Sequence, residues 1–300
     1  MSSASWSESP PPTAATPRTS RSTWGGDIAE IASLLDTELM GWQVLAADRA
    51  LELDGSRPAY REVGLSIPRQ SGKSTLTLAI ALRRMLAAKK PRWVTYTSGS
   101  SKDAARRKLV KVWWPMIQRS PLRNRFTIKQ ANGREALECV NGSLLLLLSG
   151  DEGAGHGDTV DLAILDEAWR LTDIAEQAVR PAMLTRKHAQ LWVISTAGNA
   201  KSAYWRSKVE AGRTSAQLGL TDGSCFIEWA APADVDVTDE STWDSFMPAL
   251  DRTIDRETVR KDLVSLPLPE WRRANANQWP DESDEGWSVI PQDVWEASRL

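Results

Sequence analysis

The chain has little of what disulfide scaffolds, metal centres and membrane spans require. Its two cysteines, Cys139 and Cys225, stand far apart among 300 residues. That excludes a disulfide framework and a cysteine zinc site, and leaves both as small buried apolar residues. Two histidines, His156 and His188, are too few for a histidine-based metal centre. No apolar run approaches the ~20 residues a membrane span needs, and the N-terminus shows no hydrophobic leader core. The expectation is a cytosolic-type protein. Phenylalanine and tyrosine are scarce, three of each, against fifteen tryptophans. Most of those tryptophans are read as core or edge anchors.

What is present fits a globular chain: 41% hydrophobic and 25% charged residues, enough for one large domain or two modest ones. The net charge of −2 hides a division. Residues 83–134 hold fifteen Lys/Arg against one acid, whereas residues 232–300 hold sixteen acids against seven Lys/Arg. The basic window fits a phosphate-backbone footprint, with Arg106, Arg107, Lys108 and Lys111 as DNA-contact candidates; it equally fits solvated helix faces.

Residues 1–24 contain seven Ser, four Thr and four Pro without apolar periodicity, which predicts a disordered tail. Helical spacing of apolar residues follows over 27–35 and 38–53. Strand-like runs at 62–67, 93–97, 160–165, 190–194 and 224–230 then alternate with helices predicted over 76–86, from Ser101, from Thr172 and over 201–216. Pro115 and Pro181 should kink or end two of these helices. Runs at 125–130, 136–140 and 144–148, punctuated by Asn-Gly pairs, read as a β-meander, and 149–159 as a glycine-rich loop. Alternating strands and helices predict an α/β core over 25–231 with a mainly parallel sheet covered on both faces. The acidic remainder, 232–300, reads as a small helical lid and linker, with helices near 238–246, 256–264 and 269–278.

The organising stretch is Ser66-Ile67-Pro68-Arg69-Gln70-Ser71-Gly72-Lys73-Ser74-Thr75, between an apolar strand and an apolar helix. Backbone N–H groups at such a helix start face an anion, and the peptide dipoles favour negative charge there. Gly72 lets the chain approach phosphates, Lys73 reaches the β/γ oxygens, and the Ser74 hydroxyl can complete a Mg²⁺ shell. The full glycine pattern is broken, because its first glycine falls on Ile67. In open parallel sheets ligands sit at the carboxyl ends of the strands. Three polar groups fall at that edge: Lys73-Ser74, Asp166-Glu167 and Ser195-Thr196. Asp166 is placed to hold Mg²⁺ through water and Glu167 to polarise a water toward a γ-phosphate, with Arg69 as a local cation for the transition state. Gln43, beside Trp42, suits either an adenine edge or a solvated helix face.

These residues resemble the large terminase subunits of tailed double-stranded DNA phages, which are ATP-driven genome-packaging motors. The resemblance rests on Pro68 to Ser74, on Leu165-Asp166-Glu167-Ala168-Trp169, on Ser195-Thr196-Ala197-Gly198-Asn199 and on Trp42-Gln43, and covers roughly residues 27–295. It implies a RecA/ASCE-like P-loop NTPase fold, a Mg²⁺-dependent ATPase with ATP and Mg²⁺ as cofactors, and Gln43 on adenine. It further implies ATP contacts along Arg69 to Thr75, with Arg69 sensing the γ-phosphate. Glu167 would be the catalytic base, and Ser195, Thr196 and Ala197 would couple hydrolysis to DNA movement. The partners it implies are double-stranded DNA, a portal protein, a small terminase subunit and further copies of the chain in a ring, in the host cytoplasm and transiently at the procapsid. Two features depart from the family. Residues 150–165 carry no subunit-bridging arginine, only His156, which leaves Arg106, Arg107 and Arg134 as alternatives. The chain also reaches Leu300 about where a nuclease domain would begin, so DNA cleavage is not expected of it, and Asp281, Glu282, Asp284 and Glu285 read as solvated. A helicase-like ATPase, or a nucleotide-binding switch without turnover, are the competing readings. The first would need a second lobe, and Glu167 argues against the second.

Overall fold

The computed structural model describes residues 9–87, 90–99, 101–130, 135–149 and 159–280. A short strand β1 (Ala14–Ala15) comes first, then helices α1 (Gly25–Leu34) and α2 (Gly41–Ala50) and a small hairpin, β2 (Leu53–Asp54) with β3 (Arg57–Pro58). The alternating core runs β4 (Tyr60–Ser66), α3 (Lys73–Leu86), β5 (Trp93–Ser98), α4 (Lys102–Lys108) and α5 (Trp114–Arg119). The meander β6 (Phe126–Lys129), β7 (Ala136–Cys139) and β8 (Leu144–Leu147) follows, then β9 (Leu162–Asp166), α6 (Asp173–Met183), β10 (Gln190–Ser195), α7 (Ala203–Gln217) and β11 (Gly223–Glu228). Helices α8 (Arg256–Ser265) and α9 (Leu268–Asn275) close the described chain.

Nine strands form one sheet in the order β1-β11-β4-β10-β9-β5-β8-β7-β6. The six from β11 to β8 are mutually parallel, and antiparallel pairing is confined to the two edges. Strands buried on both faces read as continuous apolar runs; β9 (LAILD) and β10 (QLWVIS) are buried at every position. Helix α3 is likewise buried nearly all round, through Leu76, Leu78, Ile80, Leu82 and Met85, each worth about 1.5–3 kcal/mol when fully removed from water. Among the described residues seven tryptophans are fully buried, which fits their expected role as anchors.

Several expectations change. Residues 9–24 lie against the core instead of forming a disordered tail. Thr13 N–H and Thr16 N–H donate to the Glu228 and Phe226 carbonyls at 2.7 and 2.8 Å, and β1 pairs with β11. Composition missed this because a sheet edge supplies backbone partners that need no apolar side chain. Pro115 does not end its helix: a π-helical turn, Leu109–Trp113, precedes it, and the helix continues as α5. A proline leaves one backbone acceptor without its donor and crowds the preceding turn, and a widened turn relieves both. Along this helix Ala105, Leu109, Trp113 and Ile117 are buried at intervals of four, and Val112 is exposed. Pro181 lies in the last turn of α6, which ends at Met183, close to where the break was expected.

The C-terminal part packs a small core of its own around Val237, Trp243, Phe246 and Trp271. The helix expected near 238–246 is a 3-10 turn, Glu240–Ser245. This unit is fastened to the phosphate loop: Arg69 N–H donates to the Ala274 carbonyl at 2.9 Å, and the Thr253 hydroxyl to the Gln70 carbonyl at 2.8 Å.

Candidate active site

In-register parallel pairing brings three segments level. Ser66 lies beside Ser195, and Ile194 beside Asp166, so β4, β10 and β9 end together. The loop after β4 turns through Gln70 and Gly72, both with positive φ (61° and 83°). The φ of Gly72 favours glycine, and a β-carbon there would also displace the end of the Met40 side chain, 2.5 Å away at Cε. Lys73 opens α3 and is buried, and its Nζ donates to Thr196 Oγ1 at 3.0 Å. Burial pulls the Lys73 ammonium below its usual value, while the charges of Glu167 and Asp166 oppose that shift.

Asp166 is completely buried at the end of β9. One carboxylate oxygen accepts from the Tyr96 hydroxyl at 2.7 Å and from Lys108 Nζ at 2.8 Å; the other accepts from Glu167 N–H at 2.9 Å. Burial alone would raise its pKa, but the Lys108 and Lys73 ammoniums and those hydrogen bonds outweigh it and hold the carboxyl below its ordinary range. Tyr96 moves the other way, since burial and the adjacent Asp166 charge keep its phenol protonated. Glu167 follows in a left-handed conformation (φ 55°), uncommon for a residue with a side chain. The twist sends its carboxylate into the cleft, where Trp169 Nε1 donates to Oε2 at 2.8 Å.

The cleft measures about 690 Å³ between the phosphate loop, the end of β5 and residues 167–170. Arg69, Gln70, Ser71, Gly72, Lys73 and Ser74 line one wall; Thr75 lies on the first turn of α3. Ser195, Thr196 and Ala197 are all buried behind it. Ser195 Oγ accepts from Trp169 N–H at 3.0 Å, and the Thr196 carbonyl from Trp205 Nε1 at 3.0 Å. Ala197 N–H donates to Asn277 Oδ1 at 2.6 Å, and Asn277 Nδ2 donates to Ser66 Oγ and the Trp229 carbonyl at 2.9 and 2.8 Å. Sequence reading gave no role to Trp169 or Asn277. Trp169 packs under three guanidinium groups, with Arg170, Arg273 and Arg69 at 4.5, 4.7 and 5.7 Å from its ring centre. Its place two residues after the acid pair was a usable signal; nothing near Asn277 announced a buried connector.

Two assignments shift. Gln43 is buried and outside the cleft lining; its Nε2 donates to the Gly72 carbonyl at 2.8 Å and its Oε1 accepts from Met40 N–H at 2.7 Å. Both ends of the amide are thus engaged within the protein, one on the phosphate loop and the other on Met40 just before α2. Among the basic residues expected at DNA, Lys108 is turned inward onto Asp166 and Arg107 rims the cleft. Arg106 pairs with Glu135 at 3.1 Å, and Lys111 is exposed. The helical turn alone separates these four fates, and composition does not encode it. Arg134, His156 and the acids at 281–285 lie outside the described residues.

A serine hydroxyl, a buried carboxylate and neighbouring phosphate oxygens form the donor set Mg²⁺ favours, since it takes few protein ligands and keeps water. Asp166 already holds a cation at contact distance, which shows that its environment suits positive charge.

A sheet in which β10 separates the phosphate-loop strand from the acid strand, with this cleft at its carboxyl edge, defines a RecA/ASCE-like P-loop NTPase. Residues 53–211 match the family model for the terminase large subunit, ATPase domain, and the chain belongs to that family. Among solved structures it resembles the large terminase of bacteriophage HK97 (TM-score 0.69, 20% identity, covering 86% of this chain and 55% of that one). It also resembles the ATPase domain of the Thermus phage P74-26 large terminase (TM-score 0.53, 18% identity, 82% and 96% covered). A third likeness is to the large terminase of a thermophilic bacteriophage in complex with ADP (TM-score 0.53, 10% identity, 80% and 54% covered). At such identities these likenesses speak for the fold. The chain spans about half the length of the HK97 protein and of the ADP-bound one. No curated protein matches the sequence significantly.

Proposed function

We propose that the chain is the ATP-hydrolysing motor part of a large terminase, driving double-stranded viral DNA into a procapsid. The observation that supports this best is that Lys73 and Glu167 line one cleft, with Asp166 buried beside Glu167, although 93 or more residues separate the loop from the acids. Lys73 and the α3 N-terminus receive the phosphates, and Ser74 and Asp166 would hold Mg²⁺, which supplies Lewis-acid charge to the phosphate oxygens. Glu167 orients the attacking water, its carboxylate fixed by Trp169. Arg69, half-buried and stacked toward Trp169, faces the γ-phosphate end and carries its charge state to the C-terminal unit through Glu270 and Ala274. Ser195, Thr196 and Ala197 join Lys73, Trp169 and Asn277, so a shift at the phosphates reaches the chain segment that follows α9.

The core over 25–231 would then be the engine and 232–300 its lid and linker. Exposed Arg106 and Lys111 would face DNA, and rim-lying Arg107 suits contact with a neighbouring subunit's nucleotide in a ring. The portal protein and small terminase subunit would be its partners, in the host cytoplasm and transiently at the procapsid, outside the mature virion. Steady-state phosphate release with and without linear duplex DNA tests the reading. Glu167→Gln should lower turnover by about 10²–10⁴, the range for a general base. Hydrolysis at the wild-type rate would remove Glu167 from that role.

A further inference from the structure

Three guanidinium groups crowd around Trp169, and they are not equally compensated. Arg69 and Arg273 share Glu270, at 3.4 and 2.6 Å. Arg170 pairs with no carboxylate among the described residues; its guanidinium carbon lies 4.5 Å from the Trp169 ring centre. The crowding is felt by Arg69: burial, then the charge of Arg273, pull its guanidinium below the ordinary value, and Arg170 adds to that pull. Arg170 nevertheless lines the cleft. Among the described lining residues, Arg69, Lys73, Arg107, Lys108 and Arg170 stand against one acid, Glu167. Such a surplus suits a multiply charged anion.

Local geometry holds Arg170 without an ion pair. It ends the 3-10 turn Ala168–Arg170, and its N–H donates to the Glu167 carbonyl at 3.0 Å. Gly99, in a left-handed conformation (φ 61°), lies beside it. A β-carbon there would be 3.4 Å from Arg170 Cδ and 3.6 Å from Arg170 Cβ, so the stem rests against the end of β5. A planar fork held this way can meet two phosphate oxygens without first leaving a carboxylate. We infer that Arg170 is a second arginine of the site, contacting the terminal phosphate of a nucleoside triphosphate from the turn that carries Glu167. The inference rests on the proposed ATPase reading. Glu167 marks the end of the cleft where water attacks, and Arg170 is joined to it through that turn; the inner phosphates belong to the α3 N-terminus. Negative charge is spread over the equatorial oxygens during phosphoryl transfer, where a guanidinium supplements Lys73 and Arg69. Trp169 keeps base and cation together, since its Nε1 donates to Glu167 while Arg170 stacks on its ring.

Titration calorimetry of the full chain with ADP and with the non-hydrolysable triphosphate AMP-PNP, in Mg²⁺ and without DNA, tests this. Arg170→Gln should bind AMP-PNP about tenfold more weakly, as for one hydrogen bond to a charged group, and ADP as wild type does. Its turnover should fall about 10³-fold, the lower end for an arginine on the transferring phosphoryl group. Arg170→Lys keeps the charge without the fork, and should regain part of the lost AMP-PNP affinity but not all of it. Should Arg170→Gln fail to fold, Arg170→Lys is read in the same way, by AMP-PNP affinity lowered and ADP affinity kept. A variant that binds AMP-PNP as wild type does, or that loses both nucleotides alike, overturns the inference and leaves the ATPase reading in place. If the wild-type chain itself binds neither nucleotide, the ATPase reading falls and the inference with it.

Discussion

Glu52 and Asp166 are both completely buried carboxylates held by cations, and they do different work. Glu52 accepts from Arg18 at 2.6 Å, from the Thr19 N–H and hydroxyl at 2.8 and 2.7 Å, and from the Tyr60 hydroxyl at 3.1 Å. Those partners come from the segment laid along the core edge and from β4, so the cluster pins residues 18–21 in place. Asp166 has fewer partners, and the cation paired with it, Lys108, lies on the wall of a cleft. A closed set of fixed donors makes a fastener. An exchangeable cation beside open space makes a site.

The comparison breaks if the two residues fail in the same way. Glu52→Gln should cost about 3 kcal/mol of stability, the lower end for a broken buried pair, since Arg18 keeps 31% of its side chain in water. Turnover of the folded protein should be unchanged; thermal melts and phosphate release on one preparation measure both. Asp166→Asn should do the reverse, lowering turnover by about 10²–10³ with a smaller change in melting temperature, because Lys108 can return to solvent through the cleft. Equal melting shifts from the two variants would erase the distinction. Trp169→Phe sharpens it further. The ring and its guanidinium neighbours remain, but the N–H on Glu167 is lost, so turnover should fall about tenfold, as for one hydrogen bond to a charged group. Nucleotide affinity should hold; a matching loss of affinity would make Trp169 a wall of the pocket instead.

These contrasts also show where sequence reading reached and where it stopped. The phosphate loop, the acid pair and the serine-threonine segment were legible because each is contiguous and each follows an apolar run, which fixes it to a strand end. The mainly parallel sheet followed from the same alternation, though not its strand order. Lys108 was not legible: Arg106 and Arg107 beside it carry the same charge, and only the turn of the helix sends one cation inward and the others out. Gln43 looked like a ligand because its side chain fits adenine, but the same donor and acceptor suit Met40 and Gly72. Asn277 and the edge strand at Ala14–Ala15 act through backbone groups far away in sequence, and no local pattern encodes such partners.

The smallest expected effect separates the two carboxylates by pH. Burial pushes Glu52 up, but the Thr19 hydroxyl and N–H, Arg18 and Tyr60 more than compensate, so it ionises below its ordinary range. A carboxyl lowered in the folded state adds stability that is fully present above its unfolded pKa, about 4.3 for glutamate, and lost as the pH falls through the lowered native value. The amide that replaces it in the variant cannot titrate. The gap in melting temperature between wild type and Glu52→Gln should therefore be widest near neutrality and narrow below about pH 4.5. Asp166 is also lowered, so its variant should show a narrowing of the same sign, beginning from a smaller gap. A Glu52 gap that stays constant into strong acid would mean that its carboxyl ionises no more readily folded than unfolded. The fastening role given to that cluster would then fall on packing alone.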